Sequence, residues 1–186
     1  LHGNLIIAAL SNGSVWCFDA ATSVAKWNLD LGESIFAPML VYEDNLLVSA
    51  GSGMKRSLLF LIDIKNGKVL SHIGIKGKIS SAPGVNNEFY FIGSDGKKLY
   101  CLNKRLEIVW SFQAKEAIKI RPVLDNALVY LCSTDCFVYC LNFEGNLKWK
   151  KHCGKIDIPP VIFENFIILK SEKDVIFSLN KHDGRS

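Results

Sequence analysis

No run of apolar residues in this 186-residue chain is long enough to cross a bilayer as a helix, and no signal-peptide pattern is present. Neither a membrane span nor a membrane partner is therefore expected. No window of eleven residues places its apolar side chains at a helical period, which argues against a helical bundle. Charge of one sign is also scarce: 22 Lys and Arg stand against 18 Asp and Glu, for a net charge of +4. No basic stripe is interleaved with aromatics, so no nucleic-acid partner is expected. Lys97-Lys98 and Lys150-Lys151 sit beside apolar segments, where lysines commonly solvate and protect strand edges. The six cysteines include no adjacent pair and no knuckle-type spacing, and their odd intervals favour unpaired thiols in a reducing, cytoplasmic compartment over zinc or disulfides. Leu1 is not an initiator Met, so the chain is expected to be a piece of something longer, with any targeting signal upstream.

What the chain has is repetition. Five apolar segments end in Asp or Asn, at Asp19, Asp63, Asn103, Asn142 and Asn180, with steps of 44, 40, 39 and 38 residues. Leu5, Leu46, Phe89, Leu128 and Phe166 each open a short apolar segment, and Pro38, Pro83, Pro122 and Pro160 each precede one. A Trp follows the Asp or Asn after seven or eight residues, at Trp27, Trp110 and Trp149, with Leu70 read as its substitute in the second copy. Self-similarity on this scale is the signature of a repeat architecture.

Turn chemistry makes the segments strands. Leu128–Cys132 and Phe137–Leu141 are rich in β-branched and aromatic residues, with Ser133-Thr134-Asp135 between them. The same break is Ser11-Asn12-Gly13-Ser14 in the first copy and Ser94-Asp95-Gly96 in the third, where Gly and Asn would supply the positive φ of a tight hairpin. Asn66-Gly67 and Glu144-Gly145 mark the next turn. The prolines fall at strand starts, where a missing N–H costs least.

Four antiparallel strands in each unit of about 40 residues, repeated in tandem, predict an all-β protein, a β-propeller arc of four-stranded antiparallel blades. Strand counting gives about four and a half blades. The first begins in its second strand near Leu5, and the last stops after its third strand, Val175–Leu179. The expected organisation is one partial propeller domain over 1–186, with blade repeats near 1–36, 37–81, 82–120, 121–158 and 159–186. A truncated array leaves apolar faces uncovered and should be poorly soluble alone.

No Trp-Asp dipeptide and no paired glycines occur, which sets aside WD40 and kelch repeats. The order is instead aromatic-x-apolar-Asp/Asn, a turn with Gly, then Trp, as in Trp16–Asp19 followed by Trp27 and Tyr139–Asn142 followed by Trp149. This resembles the PQQ-like, quinoprotein-type repeat, of which Asp19-Ala20-Ala21-Thr22 and Asp63–Gly67 are partial matches. The resemblance covers essentially the whole chain. It implies that Trp27, Trp110 and Trp149, with Asp19, Asp63, Asn103 and Asn142, are structural residues that dock one blade on the next. The stretch Asp135–Trp149 looks like a blade from the C-terminal propeller of the beta-alanine-activating enzymes, adenylate-forming members of the acyl-CoA synthetase family; Leu5–Pro38 fits less closely. That resemblance implies an upstream adenylation domain and carrier domain, with ATP and phosphopantetheine belonging to the parent only. No Gly-rich phosphate loop or carrier serine is found in the segment, so no catalytic residue, cofactor or metal is assigned to it.

Quinone enzymes of this repeat type carry neighbouring cysteines, a stacking Trp and a carboxylate-held calcium; here the Trp residues fall at the docking position, so no quinone is expected. Cys17, Cys101 and Cys140 share one repeat position and read as packing residues, with Cys132, Cys136 and Cys153 completing the set. His2, His72, His152 and His182 share no position and read as surface residues. Asn12-Gly13-Ser14 fits a glycosylation acceptor, but the hairpin explains it, and Asp95 and Asp135 read as turn residues. Function therefore narrows to a non-catalytic platform presenting substrate or binding protein, or the upstream domains, within an acid–thiol ligase. The alternatives are a stand-alone scaffold propeller of the outer-membrane-assembly or stress-sensor type and, last, a quinone-dependent dehydrogenase.

Overall fold

A computed structural model describes residues 3–53 and 55–186; His2 lies outside the described residues. Among the described residues every regular element is a β-strand, and the strands form five antiparallel sheets. Contacts divide the chain into two compact units, 1–79 and 80–186.

The first unit holds two sheets. One joins β1 (Leu5–Ala9), β2 (Ser14–Asp19) and β3 (Ala25–Asp30); the other joins β4 (Leu40–Tyr42), β5 (Asn45–Gly53), β6 (Arg56–Asp63) and β7 (Val69–Lys76). Val15, Leu46, Val48 and Ile62 are buried in their shared core, with Trp27 and Leu29 packed on it. The second unit holds three sheets. These are β8 (Gly84–Val85), β9 (Phe89–Gly93), β10 (Lys98–Asn103) and β11 (Ile108–Gln113), then β12 (Val123–Asp125), β13 (Leu128–Cys132), β14 (Phe137–Asn142) and β15 (Leu147–His152). The last contains β16 (Val161–Phe163), β17 (Phe166–Lys170) and β18 (Ile176–Asn180). Each sheet pairs its strands in sequence order, and each of Pro38, Pro83, Pro122 and Pro160 stands just before its sheet's first strand.

Burial explains why the middle strands read as continuous apolar runs. In β13 and β14, Val129, Leu131 and Leu141 pack toward Phe91 and Leu99 on one side. Tyr130, Val138 and Cys140 pack toward Ile167, Leu169 and Leu179 on the other. A strand covered on both faces has no polar alternation to keep. In β17 only Ile167 and Leu169 are buried, and alternation returns; Val161, Phe163 and Ile176 on the opposite face are 59%, 60% and 70% exposed.

The first hairpin of four copies closes in one way, and the positive-φ residue is the expected glycine in the first copy but not in the third. The N–H groups of Leu10, Ser94, Ser133 and Ser171 bond the carbonyls of Ser14, Lys98, Phe137 and Val175 at 2.8–3.0 Å. The residue before each acceptor is left-handed: Gly13 (φ 98°), Lys97 (φ 66°), Cys136 (φ 69°) and Asp174 (φ 58°). This is a turn followed by a single left-handed bulge residue. In the third copy Lys97 takes that conformation and Gly96 does not, because hydrogen bonding fixes which residue of the turn must be left-handed.

Candidate interaction site

Asp19, Asp63, Asn103, Asn142 and Asn180 organise the second hairpin of each copy. Their side-chain Oδ1 atoms accept backbone N–H groups: Ala21 and Thr22 on Asp19, Lys65 on Asp63, Arg105 and Glu107 on Asn103, Asn146 on Asn142 and His182 on Asn180, at 2.7–3.0 Å. A carboxylate or amide oxygen one to three bonds from the chain mimics the missing turn carbonyl, which is why only Asp or Asn stands here. The backbone N–H groups converging on Asp19 hold its carboxyl below the usual range.

The three tryptophans bridge neighbouring sheets inside each unit. Trp27 Nε1 donates to the Ile64 carbonyl at 2.8 Å, Trp110 Nε1 to Phe143 at 2.7 Å and Trp149 Nε1 to Lys181 at 3.1 Å. Each acceptor follows the Asp or Asn of the next copy. Each indole also covers a left-handed glycine of that next turn: a Cβ on Gly67, Gly145 or Gly184 would lie 2.7–2.8 Å from the ring of Trp27, Trp110 or Trp149. The ring and the missing side chain are thus one feature.

The second copy departs from the sequence reading. Trp27, Trp110 and Trp149 pair with Cys17, Cys101 and Cys140, and the residue paired with the equivalent Leu61 is Ser71. Leu70 therefore does not substitute for Trp; it is 49% exposed. The Asp63 turn spans one residue more than the Asn103 and Asn142 turns, closing Gly67 N–H on the Asp63 carbonyl, and this shifts the register. The next turn carries left-handed Leu106 where three others carry glycine.

The cysteines are buried or half-buried and none is paired. Burial pushes the thiols of Cys101 and Cys140 up to about 12 and that of Cys153 up to about 11, and raises Cys132 further. A nucleophile needs the thiolate, which these environments suppress. His72 stacks on Phe60 at 5.8 Å and His152 meets Phe137 edge-on at 5.2 Å, at different repeat positions. Among the described residues no three His, Cys, Asp or Glu side chains are grouped to hold a metal ion. Asn12 Oδ1 accepts Ser14 N–H within its hairpin, Asp95 takes the Ser80 hydroxyl, and Asp135 takes Phe137 N–H and the Tyr139 hydroxyl.

A groove of about 570 Å³ lies in the second unit. Two turns rim it, Asn86–Glu88 and Asp125–Asn126, with Phe143 as an apolar wall. Asn86 Oδ1 is spent on Glu88 and Phe89 N–H groups, and Asp125 is paired with Lys181 Nζ at 2.8 Å, whose hydrogen bond holds the carboxyl low. Patterning did not reveal the Asp125–Lys181 pair, because its members come from different copies and different repeat positions. The rim offers recognition groups, not a nucleophile with a base.

Comparison with known proteins agrees with the geometry. The chain resembles the crystal structure of BamB from Moraxella catarrhalis at 18% identity and a TM-score of 0.80, over 98% of this chain and 56% of that one. It also resembles the computationally designed Ika8 protein, at 13% identity and a TM-score of 0.83, over 97% of this chain and 56% of that one. The designed Ika4 protein matches at 12% identity and a TM-score of 0.69, over 80% of this chain and 91% of that one. The chain thus spans a little over half the length of BamB. No curated protein matches it. The fold is that of a β-propeller, with three complete four-stranded blades and two three-stranded ones among the described residues. Residues 55–152 match the model of the PQQ-type repeat family described as outer membrane protein assembly factor BamB, and the chain belongs to that family.

Proposed function

We propose that this chain is a non-catalytic propeller scaffold that binds other proteins through the turns and edges of its blades. The observation that carries this reading is the family match over 55–152, which favours a scaffold of the outer-membrane-assembly type over a ligase appendage. The geometry supports it: the recurring Trp and Gly residues are spent on joining sheets and the Asp/Asn residues on closing turns, so binding falls to the variable rims and edges. Six unpaired thiols fit a reducing compartment, and the cytoplasm is the location we propose. No cofactor is assigned to the segment.

Cross-linking of the full-length protein in cells, followed by mass spectrometry, tests the reading. Cross-links from the Asn86–Glu88 and Asp125–Asn126 turns to another protein are expected; cross-links confined to the protein's own upstream domains would overturn it. The ligase reading rests on the Asp135–Trp149 stretch, and nothing in the comparisons supports it. Beta-alanine-dependent ATP–pyrophosphate exchange by the full-length protein would restore it.

A further inference from the structure

β15 is the outer strand of the fourth sheet, paired only with β14. Cys153 N–H bonds the Cys136 carbonyl at 2.9 Å, and the register runs Phe137↔His152, Val138↔Lys151, Tyr139↔Lys150. Antiparallel alternation then makes Val138 and Lys151 the next bonded pair and turns the N–H and C=O groups of Lys150 and His152 away from β14. The side chains of Lys150 and His152 lie on one face of the strand, beside Phe137 and Tyr139, and Lys148 is the unpaired residue of the bulge that follows. Lys150 Nζ stands 5.5 Å from the centre of the Phe137 ring, Lys115 Nζ 5.9 Å, and the His152 ring 5.2 Å.

Lys115, Lys148, Lys150 and Lys151 are all exposed, and none has an ion pair among the described residues. Neighbouring lysines are neutralised: Lys97 by Glu116, Lys119 by Asp95 and Lys155 by Glu172. Lysines on an edge strand ordinarily deter pairing. Here that device is not general. The equivalent outer strand β11 has no lysine, β3 has only Lys26, which is paired with Asp19, and β7 has only Lys76 at its end. Unneutralised charge is gathered on one edge, around one aromatic ring, where backbone groups also face outward.

We propose that the β15 edge receives an acidic extended segment of a protein partner. Its backbone pairs with Lys150 and His152, and its alternate acidic side chains meet Lys115 and Lys150 around Phe137. This deepens the scaffold reading and rests on it. Backbone pairing supplies affinity at a sheet edge, and the charge pattern supplies selectivity.

The test uses the full-length protein and a fluorescein-labelled peptide of about eight residues alternating Glu with Val, the length of an ordinary strand. Anisotropy should show binding that weakens at least about tenfold in K115E/K150E and in K115Q/K150Q, with the far-UV spectrum and melting transition unchanged. A peptide of the same charge with a central Pro should bind at least about tenfold more weakly, since it cannot complete a ladder. Three results would each overturn the proposal: equal binding by the variants, equal binding of the Pro peptide, or lysine-dependent binding only to vesicles containing phosphatidylglycerol. Protein cross-links elsewhere on the chain, without peptide binding, would leave the scaffold standing and end this assignment alone.

Discussion

Trp110 joins three interactions in one side chain. Its N–H satisfies the Phe143 carbonyl, its ring lies 6.0 Å from that of Phe91, and its face covers Gly145. Trp110→Ala should cost about 3 kcal/mol, the low end for a large aromatic because the ring is half-buried, read as a lowered urea midpoint by circular dichroism. A cost under about 1 kcal/mol would mean the indole does not join the sheets. Gly145→Ala attacks the same contact from the other side. It forces a Cβ to 2.8 Å from the indole at φ 85°, and should cost at least about 2 kcal/mol from left-handed strain plus displacement of the ring. Cys136 has the opposite prospect: it pays for a left-handed φ of 69° at the bulge position that Gly13 fills in the first copy. Cys136→Gly should stabilise by about 0.5–1 kcal/mol, the strain relieved less the extra freedom of the unfolded chain, and a shift of the same urea midpoint would measure it.

At the scale of the element, each complete blade is a four-strand meander whose turns are set by a handful of residues and whose strands are set by what covers them. The Asp/Asn position was legible in sequence because it needs one side-chain chemistry at one place. Ser71 was not, because its register depends on how many residues the preceding turn consumes, and composition does not count them. The glycine beneath each Trp follows the same logic: turn chemistry alone accepts Ser23 and Leu106 there, and the indole of a neighbouring sheet decides for Gly67, Gly145 and Gly184. The Asp125–Lys181 pair ties a turn of the fourth sheet to the end of the fifth. Its depressed carboxyl pKa makes the contribution present above the unfolded value near 3.9 and lost as pH falls through the folded value. Lys181→Met should therefore reduce the stability lost between roughly pH 5 and pH 3, measured by urea titration at each pH.

Over the whole molecule, stability depends on sheets covering one another, and that covering hides the thiols. Cys101, Cys140 and Cys153, raised to about 11–12, hold their protons where the unfolded chain releases them near 8.5. The neutral-thiol advantage is intact below that unfolded value and is lost as pH climbs toward the folded ones, so the urea midpoint should fall between about pH 8.5 and pH 10. A double variant Cys101→Ala, Cys140→Ala should flatten that decline. Where a face is not covered, as at Val161, Phe163 and Ile176, the same apolar composition is exposed, and the molecule carries a surface that its inner blades bury.

Strand, turn and repeat were written in the order of the residues, because alternation, Gly, Pro and Asp/Asn act over a few positions. The propeller followed from the spacing of those local signals. Which side chain faces each Trp and which lysines stay unneutralised around Phe137 were decided only when sheets from separate copies came together. These depend on register and on distances between residues far apart in the chain, as in the pairings of Trp27 with Ile64, 37 positions on, and of Tyr130 with Lys181, 51 positions on. Local propensity carries no information about such contacts; packing and hydrogen-bond geometry do.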